Sequence, residues 1–221
     1  MAPQRKKSAP LKILFIGNSF TARNDLPGLV AALAESRGFV LQNQLISAGG
    51  ASLRTHLNAG KAKSEIESGR YDSVVLQEQS TLPIKNAGRM HANIREFDRL
   101  IQGAGAKTVL YMTWARSHAP DSQQAITEAY TSIGEEIGAT VVPVGTAWQA
   151  FFRQHAEPPL HDRDQSHPTM AGSYLAACVF FATLFGESPV GRGNAISAVS
   201  EQHRALLEKT AWQVCKPRVA T

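Results

Sequence analysis

The sequence predicts an α/β protein, a three-layer αβα sandwich around a parallel five-stranded sheet of order 2-1-3-4-5. Three observations predict it. Strand-like segments alternate with amphipathic helical segments, the pattern of βαβ units whose sheet is covered on both faces. The first, third and fourth strand segments are continuous apolar runs, as strands buried on both faces must be. The second and fifth carry polar residues or a proline and fit the edges of the sheet. Edges at the second and fifth positions leave 2-1-3-4-5 as the matching order.

The first strand is read over residues 12–17, where Ile13-Leu14-Phe15-Ile16 forms the apolar run. Leu26, Leu29, Val30 and Leu33 then make a helical stripe, with Asp25 as N-cap and Gly38 at the end. The second strand, 40–47, carries Gln42, Asn43 and Gln44 and belongs at an edge. The third, 73–77, contains Val74-Val75-Leu76, and the fourth, 108–112, contains Val109-Leu110-Tyr111. Met90, Ile94, Phe97 and Ile101 recur at helical spacing between them. Ile126, Tyr130, Ile133 and Ile137 do so after the fourth strand. The fifth strand, 140–144, contains Pro143, which cannot donate to a ladder. The apolar stretch 174–185 reads as a buried helix, too short for a membrane span. A last helix, 197–212, is expected to pack on the outside.

Composition bounds the function. With 221 residues, 43% hydrophobic and 19% charged, the chain suits one large globular domain, expected over 12–215. Its net charge is +5, part of it in Arg5, Lys6 and Lys7, and residues 1–11 read as a disordered basic tail. No basic stripe is interleaved with aromatic residues, so nucleic acid is not an expected partner, and neither is a membrane. The start has positive charge without an apolar h-region, so a cytoplasmic protein is expected unless a leader has been removed. Cys178 and Cys215 make neither a disulfide framework nor a zinc spacing. His56, His91, His155 and His203 read as surface or helix-face residues without an identifiable partner.

In the predicted topology, ligands bind beyond the carboxyl ends of the strands, at the switch point between the first and third. Polar residues and glycines collect there: Ser19 after the first strand, Gly49 and Gly50 after the second, Gln77 to Gln79 at the end of the third, and Trp114 and Arg116 after the fourth. A serine hydroxyl becomes a nucleophile only beside a base, and a histidine base needs a carboxylate to fix its tautomer. Gly17-Asn18-Ser19-Phe20-Thr21 supplies the serine, and Asp164-Gln165-Ser166-His167-Pro168 supplies the other two groups, three residues apart. The backbone N–H groups of Ser19 and Gly50 and the side-chain amide of Gln79 are candidate oxyanion donors. Asn18, Gln77, Trp114 and Arg116 are expected to line the substrate pocket, and Pro168 to open the next helix. Neither a P-loop nor Gly-x-Gly-x-x-Gly is present, so a nucleotide-dependent enzyme is not supported. His161, Asp162, Asp164 and His167 form a dense cluster that would suit a metal-dependent phosphoesterase instead.

Together these residues resemble the SGNH hydrolases, also called GDSL-like esterases. Gly17-Asn18-Ser19-Phe20 looks like the family's first block, Ser47-Ala48-Gly49-Gly50 like the second, and Asp164-x-x-His167 like the last. The resemblance implies a flavodoxin-like fold and cofactor-free ester hydrolysis, with Ser19 as nucleophile and Gly50 as the oxyanion glycine. The third block departs from the family's Gly-x-Asn-Asp and reads Gln77-Glu78-Gln79-Ser80. By register Gln79 takes the asparagine position, with Gln77 as the other candidate donor. That wording, with Tyr111-Met112-Thr113-Trp114-Ala115-Arg116, resembles a bacterial branch of the family. By this analogy the substrate is a small acyl ester, acetyl for preference, of a sugar or similar alcohol. An acyltransferase with the same three residues and a non-catalytic carbohydrate-binding relative are the alternatives.

Overall fold

A computed structural model describes residues 9–191 and 198–216. The cluster Arg5, Lys6 and Lys7 lies outside them, and Leu11, expected in the tail, already belongs to the first strand. Five parallel strands, β1 (Leu11–Gly17), β2 (Leu41–Ser47), β3 (Ser73–Leu76), β4 (Lys107–Tyr111) and β5 (Thr140–Val142), lie in the order β2-β1-β3-β4-β5. That is the predicted order. The register pairs Gly17 with Ser47 and Ile16 with Leu76, so the first three strands end on one rim.

The helices fill the crossovers. α1 (Ser19–Ala22) and α2 (Leu26–Ser36) follow β1, and α3 (Leu53–Ala59) and α4 (Lys61–Glu67) follow β2. α5 (Leu82–Lys85) and α6 (Ala87–Gly103) lie between β3 and β4, and α7 (Gln123–Ile137) between β4 and β5. α8 (Val144–Phe152), α9 (Met170–Phe185) and α10 (Glu201–Cys215) come last. Successive strand side chains point to opposite faces. Ile13 and Phe15 therefore pack with Val30 of α2, Trp148 of α8, Phe180 of α9 and Leu207 of α10. Leu14 and Ile16 pack with Ile66 of α4, Phe97 of α6 and Ile133 of α7. Both clusters exclude water, and each large side chain so buried contributes roughly 1.5–3 kcal/mol.

Local chemistry sets the element ends. The Asp25 carboxylate accepts from the Gly28 N–H at 3.2 Å and caps α2, as expected. The fifth strand stops at Val142, short of its expected end, because Pro143 offers no ladder N–H and becomes the cap of α8. Val144 thus enters a helix that apolar content alone disguised as strand. The last helix begins at Glu201, because the Ser200 hydroxyl caps it by accepting from His203 N; Ser197, expected in this helix, lies outside the described residues. Its buried residues Leu207 and Ala211 face the core, so α10 forms part of that layer. His91 does have a partner: its Nε2 donates to the Ala129 carbonyl at 2.8 Å and ties α6 to α7. Among the described residues, no helix is long and apolar enough to cross a membrane.

Candidate active site

The serine sits on a turn that its own motif builds. Asn18, in extended backbone, caps α1 by accepting from Phe20 N at 3.0 Å, so Ser19 is the first helical residue and not the cap. The Asn18 side chain also donates to the Ala51 carbonyl at 3.0 Å, which ties this turn to the loop after β2. Beneath it, the Gln77 side-chain oxygen Oε1 accepts from Asn18 N and from the Thr21 hydroxyl, both at 2.9 Å. Thr21 of the motif is therefore a prop, not a ligand. A Cβ on Gly17 would lie 2.6 Å from both the Gln77 oxygen and the Thr21 hydroxyl, which explains a glycine there. His56, expected on a surface, is buried, and its Nε2 donates to the Gly17 carbonyl at 2.8 Å.

The histidine and its carboxylate come from a tight loop before α9. The loop is closed by a bridge between His161 and Pro168, by Asp162 N donating to His167 O at 2.8 Å, and by Thr169 N donating to Leu160 O at 2.9 Å. Pro168 lies in this bridge and not in the helix; Thr169 is the cap and Met170 the first residue of α9. The Ser19 hydroxyl donates to His167 Nε2 at 2.7 Å. The opposite ring nitrogen, Nδ1, donates to Asp164 Oδ2, while Asp164 Oδ1 accepts from the backbone N–H groups of Ser166 at 3.0 Å and His167 at 2.9 Å. Partial burial works against ionisation of Asp164. The hydrogen bonds from His167 and Ser166 and the His167 charge outweigh it and hold the carboxyl well below the usual range. Phe20 packs its ring edge against His167 at 5.3 Å, and its own face stacks on Trp114 at 4.8 Å.

The two ends of the chain are fastened directly. Arg23 pairs with Asp162 at 2.6 Å. Asn24, in the left-handed region at φ 56°, donates to Pro168 O at 3.3 Å and to Ser173 Oγ at 2.9 Å. Gln165, between the acid and the base, is also left-handed at φ 62°, a conformation that costs an ordinary residue roughly 1–2 kcal/mol.

The three groups expected as oxyanion donors are held differently. Neither Ser19 N nor Gly50 N makes a hydrogen bond among the described residues. Gly50 has φ +65°, and a Cβ there would meet nothing within 4 Å, so its backbone conformation, not space, calls for glycine. The Gln79 oxygen accepts from Thr81 N, Thr81 Oγ1 and Leu82 N at 2.9–3.1 Å, which fixes the amide and leaves its Nε2 as the free end. Glu78, fully buried beside it, accepts from Leu53 N at 3.0 Å, Gln79 N at 2.7 Å and Asn93 Nδ2 at 2.9 Å. One carboxylate thereby holds both the loop that ends in α3 and the loop that carries Gln79. Sequence reasoning missed Glu78 and His56, since their partners lie on other elements.

Two expected pocket residues are corrected. Asn18 is only 3% exposed and Gln77 not at all, and both amide ends of each are engaged, Gln77 Nε2 by the Glu78 carbonyl. They support the serine turn and do not face a pocket, and Gln77 has no amide end left over for a substrate. Trp114 and Arg116 do line a cavity of about 350 Å³, together with Trp148, Phe152, Arg153 and His161. The cluster around His161 is dispersed among separate tasks: His161 Nε2 donates to Ala115 O at 2.9 Å and Asp162 pairs with Arg23. Among the described residues, no three His, Cys, Asp or Glu side chains converge to hold a metal ion.

No family model and no curated protein matches the chain. Solved structures do. A DUF4886 family protein from Bacteroides uniformis is similar over 93% of this chain and 95% of its own, at 18% identity and a TM-score of 0.74. A proposed SGNH hydrolase from Slackia heliotrinireducens is similar over 80% of this chain and 100% of its own, at 27% identity and a TM-score of 0.66. Axe2, an acetylxylan esterase from Geobacillus stearothermophilus, is similar over 78% of this chain and 93% of its own, at 16% identity and a TM-score of 0.63. Strand order, layer arrangement and these likenesses agree: the chain has the fold of the SGNH hydrolases.

Proposed function

We propose that this protein is a serine ester hydrolase. The observation that carries the reading is the line from Ser19 Oγ to His167 Nε2, at 2.7 Å, and from His167 Nδ1 to Asp164. His167 takes the Ser19 proton as Oγ attacks the acyl carbon. Asp164, held ionised, fixes the imidazole tautomer and stabilises the imidazolium that forms. Negative charge collects on the former carbonyl oxygen, where Ser19 N–H, Gly50 N–H and Gln79 Nε2 donate to it. The intermediate collapses, and His167 returns the proton to the departing alcohol. Water, activated by the same imidazole, then releases the acid and restores Ser19. A small acyl group, acetyl for preference, on a carbohydrate alcohol is the proposed substrate, supported by the fold shared with an acetylxylan esterase. The protein needs no cofactor for this chemistry.

Intact mass after treatment with a fluorophosphonate tests the reading. One adduct on the wild type and none on Ser19→Ala is the expected result. A folded wild type that takes up no adduct overturns it.

A further inference from the structure

The cavity lined by Trp114 and Arg116 lies beside the candidate active site, and none of Ser19, Asp164 and His167 lines it. Phe20, Trp114 and Trp148 stack in series, with centroid separations of 4.8 and 3.9 Å and nearly parallel planes. His167 lies against the Phe20 end, and the cavity opens at the Trp114 and Trp148 end. Its walls come from the loop after β4, the start of α7, the end of α8 and His161 of the loop before α9.

Two features of the residues that line this cavity stand out. The first is donors without acceptors. Arg116 Nε and Trp148 Nε1 are both shielded from solvent and have no hydrogen-bond partner. Trp148 is 1% exposed, and leaving such a buried donor unpaired costs about 1–3 kcal/mol. Arg116 makes no ion pair among the described residues, and Arg153, at the end of α8, has only the neutral Gln149 oxygen, at 3.2 Å. Asp121 is also among the lining residues, so the lining holds two arginines and one carboxylate, and burial keeps His161 inclined to its neutral form. The second feature is flat apolar surface. Phe152 is 44% exposed at the cavity, stacked on His161 with its plane 3° away, and Trp148 presents an edge to both.

We propose that this cavity is a second ligand site, for a ring compound bearing a carboxylate. The arginines supply charged donors of the kind that bind a carboxylate, and the aromatic wall takes the ring. A volume of about 350 Å³ admits one such ring and its substituents. The site lies outside the serine chemistry, so its occupant needs no ester bond.

Calorimetric titration of the full chain with sodium benzoate, beside its neutral isostere benzamide, is the test. Benzoate should bind saturably and benzamide at least about tenfold more weakly, as loss of one charge-assisted pair requires. Arg116→Gln and, separately, the exposed Arg153→Gln should each weaken benzoate by about tenfold or more while circular dichroism stays that of the wild type. Ser19→Ala should leave benzoate affinity unchanged. Absence of saturable benzoate binding, equal binding of benzamide, or wild-type affinity in both arginine variants overturns the proposal. So does loss of binding in Ser19→Ala, which would place benzoate at the serine. Fluorophosphonate labelling of Ser19 reads the hydrolase proposal separately, so failure of one is not failure of the other.

Discussion

Replacing Glu78 with glutamine tests whether one buried carboxylate sets the geometry of two oxyanion donors. In the wild type its oxygens take three hydrogen bonds, two from backbone N–H groups and one from Asn93. Glutamine keeps one oxygen, which can still serve Leu53 N and Gln79 N. Its NH₂ then meets the Asn93 NH₂, donor against donor. Asn93 cannot invert freely, because its oxygen already accepts from Arg54 Nε at 3.1 Å. One charge-assisted bond is lost and two buried amide donors are left facing each other, so the fold should lose about 2–4 kcal/mol. If the loop holding Gly50 and the loop holding Gln79 relax together, the damage to turnover approaches removal of one oxyanion donor, about a hundredfold in kcat. KM for p-nitrophenyl acetate should change little, since Glu78 touches neither acyl group nor alcohol. Urea unfolding and steady-state kinetics on the same preparation measure both effects. A variant destabilised as expected whose kcat stays within about twofold of the wild type would refute the positioning role and leave Glu78 a structural residue only.

Two other outcomes follow from geometry already described. Gly50→Ala should lower stability by about 1–2 kcal/mol through its left-handed backbone, with reduced kcat and no steric overlap to repair; unchanged stability in urea would contradict this. All four tyrosines resist ionisation in the folded protein. Burial raises Tyr111, Tyr130 and Tyr174 well above the ordinary phenol range, and burial with the Glu65 hydrogen bond pushes Tyr71 up to about 12. The unfolded chain releases those protons near the ordinary value of about 10, so stability should fall as pH rises beyond it, and tyrosinate absorbance at 295 nm should rise only with unfolding. A normal phenol titration at pH 10 in protein that still shows native circular dichroism would contradict the burial of these rings.

The sheet was legible because its signals are local. Ile13 to Ile16 can be apolar without interruption only between two covered faces, and Gln42 to Gln44 can be polar only where one neighbour is missing. The serine and histidine motifs were legible because each carries its own turn chemistry: the Asn18 cap in one and the Asp164 carboxylate clasping its own loop in the other. What eluded sequence reasoning depends on pairs distant in sequence. Gln77 looked like a pocket residue because it ends a strand on the ligand rim. Its contacts with Asn18 and Thr21, far along the chain, turn it inward. His56 gave no periodic or motif signal, and Glu78, though inside the third block, gave no sign of its role, since a buried polar group is recognised only by the partners that satisfy it. Val144 was misread for the opposite reason: a local apolar run was believed over the proline preceding it.

The fastening of residues 19–24 to 162–173 makes the proposed chemistry a late product of synthesis. A ribosome that has released the first four strands has exposed Ser19 and its whole supporting turn, but neither base nor carboxylate has yet been translated. The serine is then an ordinary hydroxyl. On the proposed chemistry, reactivity needs Leu160 to Pro168 docked across a separation of 148 residues between Ser19 and His167. Contacts so remote in sequence form slowly. An unfinished or misassembled chain is therefore chemically silent in the crowded cell, and appearance of the nucleophile would mark completion of the fold itself.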